Sequence, residues 1–200
     1  MANLKSIARK IKSSPKLLRE TKKIVESKFN KEKEIFIEHF NAHPVTQEIE
    51  GGPDANNISG TLIGYGNLFS FIGFSENESP IHPVRNILRT MTRIKNIRKA
   101  AGNRIKLNIN INVPDLDDIA EASPMPWEPG RSWVSGIERG ISGFAYYLNA
   151  ARQSSRSGRG IQTDRRVRVM AFKNVKYMSE LVRNFTKNLR NLKWRYNLKI

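Results

Sequence analysis

The three histidines, His39, His43 and His82, are the only imidazoles in the 200 residues, and cysteine is absent. Only His39 and His43 lie close together, four apart where a helix is ending, and a closed metal site needs more converging ligands than that. The simpler reading has His43 breaking the helix with Pro44 while His39 faces solvent beside Glu38. Asp115, Asp117 and Asp118 could gather around a hard cation, but their spacing lacks the glycine turn and distal acidic ligand of an EF-hand loop. A solvated cluster of loop acids is expected instead. Without cysteine there is no disulfide framework, thiolate metal site or thiol nucleophile. Gly64-Tyr65-Gly66 and Gly158-Arg159-Gly160 extend neither to GxGxxG nor to GxxxxGK[ST]. Serines are plentiful, yet none sits in a GxSxG elbow, and no histidine is placed to serve one as base. These residues predict a protein that is not an enzyme and holds no cofactor or metal. An unfamiliar carboxylate site is the residual enzymatic reading, and it would need a deep pocket with convergent polar groups.

Charge is the strongest global signal. Lys and Arg number 35 against 18 Asp and Glu, a formal net charge of +17, so an acidic partner is expected. The cations concentrate at Arg152, Arg156, Arg159, Arg165, Arg166 and Arg168, which are candidates for contact with a DNA channel or a neighbouring subunit. No zinc-finger spacing, aromatic RNA-binding strand or helix-turn-helix accompanies them. Nucleic acid, if met, would be held by its backbone and shape rather than by its bases. Trp127 and Trp133 have polar or basic neighbours and are candidate interface anchors, with core burial the competing reading.

The elements that must position these groups follow from periodicity. Residues 1–14 form a basic N-terminal arm in which Leu4, Ile7, Ala8 and Ile11 have helical spacing. Pro15 suits a first helical position, and Leu18, Val25, Phe29, Phe36 and Phe40 define one face of a helix over 15–41, ending at His43-Pro44. Gly51-Gly52-Pro53 and Asn56-Asn57 mark a loop over 48–61. Residues 62–74 mix aromatic and β-branched side chains with glycine and read as a strand or hairpin. Val84, Ile87, Leu88, Met91 and Ile94 predict a middle helix running to Gly102. Residues 106–113 alternate with period two, the clearest strand pattern in the chain.

Residues 114–130 contain four prolines and read as an irregular insertion with room for one helical turn around 116–122. Over 133–148, helix and strand both remain open, because apolar residues at helical spacing alternate with Gly136, Gly140 and Gly143. A mobile arginine-rich loop over 152–166 precedes a short strand around 167–171. The seam Val175, Met178, Val182, Phe185, Leu189, Leu192 and Tyr196 predicts the last helix. The expected fold is one α+β domain over 15–200. Its small, mostly antiparallel sheet is packed by a long N-terminal helix, a middle helix and a C-terminal helix. No apolar run is long enough for a signal peptide core or a membrane span.

Three stretches carry a resemblance. They are His43-Pro44-Val45-Thr46 with Asn57-Ile58-Ser59-Gly60-Thr61-Leu62, then Phe144-Ala145-Tyr146-Tyr147-Leu148, and Met170-Ala171-Phe172-Lys173. In this order they resemble the tail-completion and neck proteins, the head-tail joining subunits, of long-tailed bacteriophages. Residues 80–130 are longer and richer in proline than that family's pattern, and the basic N-terminus is extra. The resemblance implies a structural subunit of the virion, assembled in the host cytoplasm. It would close with copies of itself into a ring, commonly a hexamer, between connector and tail-tube proteins, with packaged DNA in the lumen. Six copies would carry about +100, which opposes closure unless DNA or acidic neighbours neutralise it. The 62–74 hairpin and the 107–113 strand would then build the ring. The alternative reading is a basic nucleic-acid-binding module contacting the phosphate backbone. Its binding would collapse between about 50 and 200 mM salt, whereas a preassembled ring would keep its mass without DNA.

Overall fold

Pro15 at the first helical position opens α1, Pro15–Ala42, in the computed structural model of the protein. The structure describes residues 14–62, 66–99, 107–126, 130–139, 148–149, 161–162 and 173–192. Of the expected N-terminal arm, all but Ser14 lies outside the described residues, as does the strand expected around 167–171. Val25, Phe29, Phe36, Ile37 and Phe40 form the buried stripe of α1, close to the face read from the sequence. The chain turns at His43, whose extended backbone (φ −66°, ψ 133°) is what a following proline demands. Pro44 then starts a second helix, α2, Pro44–Glu50, where a loop was expected from residue 48. A single 3-10 turn follows over Gly52–Asp54.

The expected strand at 62–74 is replaced, over its described part, by a short buried helix, α3, Leu68–Ile72. Two polar signals override the β-forming composition. The Asn67 side chain accepts a hydrogen bond from the Ser70 amide at 2.9 Å, and Gly73 closes the helix in the left-handed region at φ 89°. The middle helix, α4, Ile81–Met91, stops well before Gly102, and β1, Arg93–Lys99, takes over. β1 pairs antiparallel with β2, Leu107–Asn112, the segment with the clearest strand pattern in the sequence.

Asp115 starts α5, Leu116–Glu121, within the proline-rich insertion. The Asp115 carboxylate accepts the Asp117 and Asp118 amides, and Asp118 accepts the Asp115 amide in return. The acid cluster is thus a capping box. α6, Trp133–Arg139, settles the open helix-or-strand choice in favour of helix for its own residues. β3, Leu148–Asn149, pairs with β4, Ile161–Gln162. The last helix, α7, Met178–Asn191, buries Met178, Leu181, Phe185 and Leu189. The result is a small α+β fold: a long N-terminal helix, a middle helix and a C-terminal helix accompanied by small antiparallel pairings.

α1 and α7 pack along one another, with Phe36 and Phe185 stacked at 4.5 Å between ring centroids. The core continues through α3, α4 and α6, where Trp133 meets Phe74 edge-on and lies over Tyr177. Among the described residues, no helix is long and apolar enough to cross a membrane.

Candidate functional site

Two arrangements stand out: a buried polar junction near the end of α1, and a polar and basic hairpin outside the core. The junction begins with His43. Its Nδ1 accepts the Val45 amide at 3.2 Å, capping α2, while its ring lies 4.7 Å from that of Tyr177. Burial lowers the His43 pKa below its ordinary value, opposed by the nearby Glu180 and Glu138 carboxylates. One turn into α2, Thr46 Oγ1 and the Tyr177 hydroxyl lie 2.6 Å apart, both wholly buried. Burial drives the Tyr177 phenol far above its ordinary pKa, so it stays protonated.

Glu48, two residues beyond Thr46 along α2 and on another side of it, is also fully buried. Its two oxygens accept the Ser59 amide at 2.9 Å and the Leu68 amide at 2.7 Å. One carboxylate therefore holds the start of α3 and the preceding loop together, meeting the cost of its own burial with backbone donors. Asn67 adds a second tie through its side-chain amide to the Pro53 carbonyl, at 2.6 Å. On this pinned loop, Ile58 is half exposed, the most exposed large apolar side chain among the described residues.

Tyr177 and Ser179 donate their amides to Glu138 at 3.1 and 2.7 Å, so a side chain from α6 caps α7. The Lys173 amide donates to the Thr61 carbonyl at 3.0 Å. Parts of the stretches that carry the family resemblance, 43–46, 57–62 and 173, are thus joined around α2. Residues 144–147 and 170–172 lie outside the described residues. Chemically the junction is a structural lock: its hydroxyls and carboxylates face protein donors and acceptors, and the fully buried Thr46, Glu48 and Tyr177 have no route to a substrate.

Beside it, a groove of about 350 Å³ is lined by Asn41, His82, Arg85, Asn86 and Arg89. Arg85 donates to both Glu50 oxygens at 2.6 and 2.7 Å and to Asn41 Oδ1 at 2.9 Å, so its charge is already answered. Among the described residues no three His, Asp or Glu side chains gather as metal ligands.

The β1–β2 hairpin is the second arrangement. The pairs Ile94 with Ile111, Ile97 with Ile109 and Lys99 with Leu107 share one face. Arg93 with Asn112, Asn96 with Asn110 and Arg98 with Asn108 share the other. A bulge at Lys95 puts Ile94 and Ile97 on the same face although they are three apart. Ile94 and Ile111, at the base, pack on the core. Ile97, Leu107 and Ile109 are only half-buried, and they do not join the core's fringe among the described residues.

Trp133, expected as an interface candidate, is buried in the core with 1% of its surface exposed, and so offers no surface to a partner. Trp127 and all six arginines from Arg152 to Arg168 lie outside the described residues. β3 and β4 do bring residues 149 and 161 together on either side of the arginine-rich stretch. Sequence reasoning missed Thr46, Glu48, Tyr177 and the face of the hairpin. The signal for Glu48 was an acid placed three residues after Val45 and next to Ile49, on the apolar side of a helix. Compared with known proteins, the chain matches no family model, no curated protein and no solved structure.

Proposed function

We propose that this chain is a structural subunit that closes with copies of itself into a ring, serving as a tail-completion or neck component between the capsid and tail of a bacteriophage. The observation that carries this reading is the incomplete apolar face of the β1–β2 hairpin. Ile97, Leu107 and Ile109 lie beyond the part of the hairpin that packs on the core, and a two-stranded ribbon is marginal in water without further cover. A neighbouring copy supplies that cover. Among the described residues no third strand joins the hairpin, so its edges offer backbone donors and acceptors to a further strand, the usual basis of strand addition. The resemblance of 43–46 with 57–62, of 144–148 and of 170–173 to head-tail joining proteins supplies the biological setting, and Ile58 on its pinned loop offers a second apolar contact.

The test is native mass spectrometry with sedimentation at high salt and without DNA. The reading expects a closed multiple of 22.9 kDa. Replacing Ile97 and Ile109 with Asn should return the protein to monomer while leaving the helical core folded. A wild-type chain that stays monomeric at micromolar concentration overturns it.

A further inference from the structure

The opposite face of the same hairpin has a chemistry that the ring does not use. Arg93, Arg98, Asn108 and Asn110 are exposed on it, with the half-buried Asn96 between them. Asn112 is turned back to the Met91 carbonyl at 3.0 Å, which anchors the base of the ribbon to the end of α4. Among the described residues, the Arg93 and Arg98 guanidiniums have no ion-pair or hydrogen-bond partner. Between Glu78 and Asp115 the sequence carries eight Lys and Arg and not one acid, so no carboxylate of this segment competes for them.

We propose that this face is a binding surface for double-stranded DNA, in which Arg93, Arg98 and the bulged Lys95 contact phosphates while the asparagines lie along a groove. Three features favour that occupant. The side chains are the donors that hold phosphate oxygens in protein–DNA complexes. A two-stranded ribbon fits the major groove of B-form DNA, which is about 12 Å wide, whereas the major groove of duplex RNA is too narrow to admit it. The bulge also increases the local twist of the ribbon, and the exposed Lys95 within it adds a cation two and three residues along the strand from Arg93 and Arg98. An acidic protein would satisfy the charge but would leave the asparagines between the arginines without a role. The cations supply affinity without sequence preference, because phosphate contacts carry no sequence information.

This inference goes beyond the ring and does not depend on it, since a monomer presents the same face. The experiment is fluorescence anisotropy of a labelled 30-bp DNA duplex titrated with the full chain from 50 to 200 mM NaCl. Wild type should bind with an affinity that falls steeply with salt. The triple variant R93Q/K95Q/R98Q should bind at least tenfold more weakly at 100 mM and show a log–log salt slope shallower by about 2.7, three phosphates at 0.9 each. A control removing three exposed cations of another surface, K176Q/K187Q/R190Q, should bind as wild type does. The pair N108D/N110D, which sets carboxylates on the same face without removing a cation, should also weaken binding.

Circular dichroism should show all three variants folded, as expected for exposed positions. Equal losses in the hairpin and control variants, undiminished binding by the hairpin variants, or a preference for duplex RNA would each overturn the proposal. A ring that ignores DNA refutes this inference alone, and a monomer that binds DNA through this face refutes the ring alone.

Discussion

The Thr46 hydroxyl and the Tyr177 phenol meet at 2.6 Å across 131 positions of sequence, in a site that neither shares with solvent. Their bond joins the helix after the His43 turn to the segment that enters α7. Tyr177→Phe should leave the Thr46 hydroxyl buried without its partner, at a cost of about 1–3 kcal/mol in urea unfolding. Adding Thr46→Val should recover part of that loss, because an apolar pair of similar shape leaves no orphan. A double variant costing the full sum of the single losses would show that the two groups act independently.

Glu48 ties together backbone that local structure leaves unpaired. Glu48→Gln presents an N–H group where an acceptor stood, so one of the Ser59 and Leu68 amides loses its partner. A loss of about 1–3 kcal/mol is expected. Hydrogen exchange at these two amides should rise more than exchange in α7, whereas unchanged protection at Ser59 and Leu68 would show that the carboxylate does not hold the loop.

Stability should fall at both ends of the pH scale. The fold keeps His43 neutral, its pKa depressed chiefly by burial, and its Nδ1 must be unprotonated to accept the Val45 amide. The unfolded chain binds the proton more readily, so the stability contributed by neutral His43 is complete above about 6.5 and is lost as pH drops through the depressed folded value. Tyr177 is raised, chiefly by burial, so its contribution declines as pH rises above about 10. His43→Asn keeps a side-chain cap without a titrating ring and should flatten the acid limb of a Tm-against-pH curve. An unaltered acid limb would assign it to other groups.

Trp133 is a core residue, and its truncation should act on folding. Trp133→Ala should cost about 3–5 kcal/mol by removing its contacts with Phe74 and Tyr177. A variant of unchanged stability that had lost only its self-association would restore the interface role expected from the sequence.

The helices at either end were legible because long apolar stripes leave little ambiguity. Val25, Phe29, Phe36 and Phe40 in α1, and Met178, Phe185 and Leu189 in α7, are the residues that repeat in the sequence and those that are buried. The alternating residues 107–112 were equally plain. The middle helix was overextended because Ile94 follows Met91 by three residues, so the apolar spacing of α4 runs on into the first residues of β1.

At 68–72 the composition favoured a strand, and a side-chain cap with a left-handed glycine gave a helix. The buried junction was not legible because its partners are distant in sequence. Nothing local to Glu48 announces the amides of Ser59 and Leu68, and nothing near Thr46 announces Tyr177. The hairpin's polar face was hidden for the same reason, since Arg98 and Asn108 become neighbours only through pairing.

The first ten residues of α1 include no fully buried side chain, although Leu17, Leu18 and Ile24 are half-buried; its buried positions begin at Val25. At 1.5 Å per residue, roughly 15 Å of helix therefore precedes the packed portion. Ser14 makes no side-chain cap, and the first turn has no acid to offset the macrodipole. Among the described contacts this leading section is held less firmly than the packed turns behind it, so it should exchange its amides faster than the turns after Val25. Proteolytic trimming there would shorten the molecule without weakening its centre.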